Sequence, residues 1–203
     1  SLRRGGLSPI LRTVAEMTLK LSTLSLLLGL GVGLPLLYGL AKPAAFAAAV
    51  RKFPRSLPWG LALMALGTAW FLWNLSQESI ADFARFKSHL FVGFAAIGLG
   101  ACIFVQDFLA VRGLAIVLLL LAKLMVDSGR PLLSQTHWVL INQTWAYGLV
   151  LAGIWLTISP WRLRDFLAWG TATPQRTQVA CSLGLAFGLF VAALGLTVFR
   201  TVS

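Results

Sequence analysis

Histidine is well suited to hold a metal-centred pigment inside a membrane, and this chain has two, His89 and His137. A bundle carrying haem b or chlorophyll usually ligates it through imidazoles on facing helices. His89 opens one apolar stretch and His137 immediately precedes another. Two full stretches separate them, so alternating crossings bring both to one side of the membrane. They could then cap a cofactor only from one leaflet edge. Histidines that merely hydrogen-bond at an interface fit the same positions. No cofactor is therefore expected, with haem or chlorophyll on His89 and His137 as the alternative. Cys102 and Cys181 lie inside apolar stretches without CxxC spacing or a His-rich neighbourhood. They read as small packing residues.

Polar side chains within lipid are costly and mark functional candidates. Arg112 follows Asp107 by five residues, one turn into an apolar stretch, and the two are expected to pair. Asn142, Gln143 and Thr144 enter another stretch together. They are expected to hydrogen-bond a neighbouring helix, with a small polar site as the alternative. No stretch carries an acid near its centre, which argues against a proton relay or cation pump.

The segment Lys123-Leu-Met-Val-Asp127-Ser-Gly-Arg130-Pro131 separates Arg-Pro from a lysine by six residues. This resembles the first motif of the type 2 phosphatidic acid phosphatase family, in which the two cations clamp a phosphate. The resemblance implies a lipid-phosphate substrate held by Lys123 and Arg130. It covers nine residues and no more. The family also uses a Ser-Gly-His segment and a later Arg…His…Asp segment. Downstream of Arg130 the only histidine is His137, with no Ser-Gly before it. The nucleophile is missing, so Lys123 is expected to snorkel to the surface beside Asp127. No catalytic residue and no metal ligand is expected.

These residues are positioned by six apolar stretches, about 21–41, 57–77, 89–106, 108–127, 138–160 and 178–199. Each is long enough, at about 1.5 Å per helical residue, to cross a hydrocarbon core of about 30 Å or nearly so. None alternates polar with apolar residues, so helices are expected rather than a barrel. Gln106-Asp107 must turn tightly between the third and fourth. Pro35 should kink the first. Trp59, Trp73, Trp138, Trp161 and Trp169 fall at or near stretch ends, where amphipathic rings prefer to sit. The spacings Gly29…Gly33 and Gly184…Gly188, together with Gly93, Gly98 and Gly100, predict close helix packing. Asp82-Phe, Asp107-Phe and Asp165-Phe recur between stretches and read as helix N-caps, with a shared acidic site as the alternative.

Residues 1–20 carry Ser8-Pro9 as a helix start, followed by Ile10, Leu11, Val14 and Met17 on one face. A short amphipathic interfacial helix is expected there. No cleavage site for a signal peptide follows it.

Apolar residues make up 58% of the 203 and charged residues 11%. A soluble domain has about 45–50% and about 25%. The expected fold is an all-α integral membrane protein: a six-transmembrane-helix bundle spanning 21–203 behind the interfacial helix. The net charge of +11 comes from 17 Lys/Arg and 6 Asp/Glu, with the basic residues mainly between stretches. That suits anionic headgroups and argues against nucleic acid. The basic residues divide nine to eight between the two sides, so orientation is not set. An even number of spans puts both termini on one side. A shift of 86 residues aligns Trp59 with Trp145 and Gly67 with Gly153, which would make an inverted repeat of three spans each.

Three functions follow as expectations. The first is a non-catalytic scaffold or accessory subunit partnered by other membrane proteins. The second is a small transporter or channel. The third, resting on Lys123 and Arg130 alone, is a lipid-phosphate enzyme.

Overall fold

The computed structural model describes residues 9–77, 86–130, 133–134 and 137–197. All regular structure among them is helical: α1 Pro9–Ala41, α2 Pro43–Lys52, a 3-10 turn Phe53–Arg55, α3 Leu57–Gln77, α4 Lys87–Phe104, α5 Leu109–Gly129, α6 Val139–Ile158, α7 Trp161–Gly170 and α8 Pro174–Leu196.

Proline sets many of these starts. Pro9, Pro43 and Pro174 are first residues of α1, α2 and α8, and Pro160 immediately precedes α7. The ring fixes a helical φ and lacks only an N–H that would go unbonded there anyway. The residue before proline is pushed out of the helical region, so α1 stops at Ala41, ahead of Lys42-Pro43. Pro35 lies inside α1, and the helix continues through it. The carbonyl it frees belongs to Gly31, where a side chain would meet nothing within 4 Å.

Two expectations change here. The interfacial helix expected over residues 1–20 and the first span are one continuous helix, because no proline or glycine interrupts Pro9 to Leu28. The expected stretches omitted the short helices α2 and α7, which precede α3 and α8 and whose cue was proline followed by mixed apolar and basic residues.

Five helices or helix segments are long and apolar enough to cross a membrane: Ser22–Ala41, Lys87–Phe104, Leu109–Gly129, Val139–Ile158 and Pro174–Leu196. Leu57–Gln77 qualifies only together with Pro43–Arg55, from which it bends by 63°. The reason is compositional, since Gly60, Gly67, Thr68, Asn74, Ser76 and Gln77 dilute its apolar content. The chain is thus consistent with a multi-pass membrane protein.

Contacts divide the chain into two compact units. The first comprises Ser1–Pro43, Lys123–Ala146 and Pro174–Ser203. Its spine is α1 packed antiparallel on α8. Ser22 Oγ donates to the Gly195 carbonyl at 2.6 Å, Gly29 meets Gly188, and Gly184 meets Leu36. The small residues permit this approach, since lipid supplies no hydrophobic drive between helices and close packing must do it. Trp145 packs edge-on against Phe187 at 5.0 Å and joins α6 to α8.

The second unit comprises Ala44–Ala122 and Tyr147–Thr173. Here α3 lies antiparallel to α4, with Thr68 on Gly98 and Phe71 edge-on to Phe94 at 4.7 Å. It lies parallel to α5: Gly60 meets Leu109, Leu63 meets Gly113, and Gly67 meets Ile116. The core joins Val111 and Ala115 of α5 to Leu156 of α6, with Phe108, Leu114, Leu118 and Leu163 around them. Neither unit coincides with spans one to three or four to six.

Candidate functional site

Several polar groups of the second unit gather at one end of its helices. There α2 leads through the 3-10 turn into α3, and α4 turns into α5. Arg51 at the end of α2 donates from Nε to Thr171 Oγ1 at 2.8 Å and from a terminal nitrogen to the Thr171 carbonyl at 2.6 Å. These bonds tie α2 to the end of α7. Arg55 lies over the Phe108 ring at 5.8 Å from its centroid, tying the 3-10 turn to the start of α5. Arg164 and Asp165 pair at 2.7 Å on α7. Trp59, Trp161 and Trp169 are all exposed there, as rings at a headgroup boundary would be.

The α4–α5 turn borders an open cleft. It has a volume of about 490 Å³ and is lined by Ile103, Phe104, Val105, Gln106, Asp107 and Arg112. Its backbone is specified locally. Phe108 adopts φ 55°, a left-handed conformation unusual for a bulky residue. That turn lets the Phe108 carbonyl accept from Val111 N at 2.9 Å and Arg112 N at 3.1 Å. The first turn of α5 is thus capped by backbone.

Asp107 and Arg112 share this cleft without forming the ion pair expected from their spacing. Neither side chain has a hydrogen bond or ion pair to any described residue, and Arg112 Nε is buried without a partner. Uncompensated burial of part of a guanidinium costs free energy, and an acid and a base left unpaired in one cleft suit a ligand that carries both charges.

In the first unit, Asn142 and Gln143 of α6 are buried at 6% and 7% exposure, whereas Thr144 is exposed. Gln143 Nε2 donates to the Val126 carbonyl at 3.3 Å. That carbonyl belongs to the last turn of α5. Part of the helix-glue expectation is therefore present. Asn142 Nδ2 and Gln143 Oε1 remain without partners. Thr144 bonds back to the Leu140 carbonyl at 2.8 Å, as Thr157 does to Gly153 and Ser182 to Gln178. Such bonding satisfies a hydroxyl within its own helix and removes Thr144 from the polar cluster.

The remaining expected residues fall as follows. Lys123 and Asp127 form an ion pair of 2.8 Å on the exposed side of α5, and Arg130 is exposed just beyond that helix. His89 in the second unit and His137 in the first are both exposed, and His89 sits beside the Phe86 ring. Asp82 lies outside the described residues. Asp165 falls in the middle of α7 rather than before a helix, so the N-cap reading fails there. Asp107 does precede α5, but the Phe108 carbonyl serves the free N–H groups instead.

Among the glycines, Gly29, Gly33, Gly184 and Gly188 all lie at the α1–α8 seam, and Gly98 meets Thr68. Gly93 and Gly100 do not pack: a side chain at either would meet nothing within 4 Å. Gly60, Gly67, Gly113, Gly153 and Gly195 are close-contact positions that the sequence did not single out. For Gly60 and Gly67 the cue was the seven-residue interval between them, which returns to the same helix face, whereas Gly113 and Gly153 carry no such interval. No family model matches this chain, and neither a curated protein nor a solved structure matches it.

Proposed function

We propose that this chain is a non-catalytic, six-span membrane protein serving as a scaffold or accessory subunit of a larger membrane complex. One observation carries the reading. On α4, Gly93, Ala96, Ile97, Gly100 and Phe104 share a face, since seven residues complete nearly two turns. That face is uncovered, with Ile97 at 66% and Phe104 at 84% exposure, and Gly98 is the only buried residue of α4. Small residues of this kind let α1 and α8 approach closely. On α4 they meet no partner among the described residues, which supports a helix from another subunit.

The tie between Arg51 and Thr171 supports the six-span reading. Between α2 and α7 the chain passes through α3, α4, α5 and α6. Four crossings return it to the same side, and three would leave the two helices separated by about 30 Å of hydrocarbon. Hydrogen bonds of 2.6 and 2.8 Å suit helices on the same side, which favours a crossing by α3 where α4, α5 and α6 cross.

Gentle extraction of the native membrane, native separation and mass spectrometry test the subunit reading. A large band with defined partners is expected. The double variant Gly93→Leu/Gly100→Leu should reduce co-purification about tenfold without changing the thermal stability of the isolated chain. A wild-type band at monomer or dimer size sinks the reading.

The buried amides favour a second reading, a small transporter or channel with Asn142 and Gln143 lining a polar site. Substrate flux into vesicles that Asn142→Leu abolishes would support it. The lipid-phosphate enzyme stays the minor alternative, resting on Lys123 and Arg130 alone.

A further inference from the structure

We infer that the α4–α5 cleft binds the headgroup of an aminophospholipid, a zwitterion with a phosphodiester and a primary ammonium. The phosphodiester would lie on Arg112 and the ammonium on Asp107. Four observations carry this. The cleft volume of about 490 Å³ falls within the usual range for small-molecule sites. Arg112 presents a guanidinium whose buried Nε has no partner, and guanidinium matches phosphate oxygens in a bidentate way. Asp107 stands in the same cleft, engaged by no described residue and not paired with Arg112. Ile103, Phe104 and Val105 form an apolar rim at 65%, 84% and 39% exposure, beside which acyl chains can lie.

The charges discriminate among lipids. A purely anionic headgroup satisfies Arg112 but meets Asp107 as a like charge. A choline headgroup satisfies Arg112 but offers Asp107 no N–H donor. Only a headgroup with both a phosphate and an N–H-bearing cation answers both residues. The cleft lies at the end of the second unit where Arg55 and the tryptophans gather, the level at which basic pockets meet headgroups.

The inference rests on the membrane reading of the chain, which recovery in the membrane fraction tests on its own. The site is tested by titrating the full chain in detergent with phosphatidylethanolamine, phosphatidylglycerol or phosphatidylcholine and counting retained lipid by native mass spectrometry. Wild type should retain phosphatidylethanolamine about tenfold more tightly than the other two, the worth of one charge-assisted contact. Asp107→Asn should erase that preference while leaving phosphatidylglycerol binding undiminished. Arg112→Gln should weaken both about tenfold. Asp107 lies in a turn outside the helices, so its variant keeps the test decisive even if Arg112→Gln fails to fold. Equal retention of all three lipids, or an unchanged preference in Asp107→Asn, overturns the inference. So does equally tight binding of soluble glycerophosphoethanolamine, which would make the ligand a free metabolite rather than a lipid.

Discussion

Lys123 and Arg130 show how a local pattern differs from a site. Their spacing resembles a phosphate clamp, yet Lys123 is half exposed and paired with Asp127 one turn along the same helix. A pair this exposed stabilises by at most about 1 kcal/mol. Asp127→Asn should therefore alter unfolding of the purified chain in mixed micelles by less than about 1 kcal/mol. A loss of several times that would mean the pair is more than a surface contact. Asn142 and Gln143 are the opposite case. Three consecutive polar residues were legible as a cluster, but helix geometry turns Thr144 outward. Gln143 is directed to the Val126 carbonyl near the end of α5. A sequence shows that such residues are expensive. It does not show which of them meets a neighbouring helix.

At the scale of elements, the packing of α1 on α8 rests on backbones in contact. A Cβ at Gly29 would lie 2.5 Å from the Gly188 carbonyl oxygen and 2.9 Å from the Ala192 nitrogen, so the helices would have to part. Gly29→Ala should destabilise the chain by about 1–3 kcal/mol. Gly31→Ala, whose added methyl meets nothing within 4 Å, should be neutral or stabilise by up to about 1 kcal/mol through helix propensity. Reversible unfolding in mixed micelles measures both, and equal effects would contradict the seam. The short helices carry their own test. Arg51 holds the end of α7 by two hydrogen bonds, each worth roughly 1 kcal/mol net. Arg51→Ala should raise amide hydrogen exchange across Trp161–Gly170 about fivefold, leaving Lys87–Phe104 unchanged. The GxxxG spacings were readable in advance because the four glycines stand close in sequence. The approach of Gly60 and Gly113 was not, since isolated glycines in apolar runs are indistinguishable from background until two helices meet.

For the whole molecule, the number of crossings decides which residues share a side. With six, single cysteines at Lys52 and at Ser76, in a background lacking Cys102 and Cys181, lie on opposite faces. An impermeant maleimide added outside sealed vesicles of one orientation should then label one of them and spare the other. Labelling of both from one side would mean that α3 does not cross, and the six-span reading would fall. The orientation relative to the cell follows from which one is labelled. The basic residues leave it open because they divide almost evenly between the two sides.

The sequence by itself determined that the chain is helical, suited to lipid and supplied with small residues for close packing. Apolar content, span length and glycine spacing act locally and do not depend on partners. It also placed Asp107 and Arg112 near a tight turn. Only the tertiary structure decided that α1 pairs with α8, that α2 is tied to α7, and that Asp107 and Arg112 share a cleft without meeting. In a membrane every span is apolar on most faces, so hydropathy cannot distinguish a lipid contact from a helix contact. That distinction lies in which small residues from distant parts of the chain come into register.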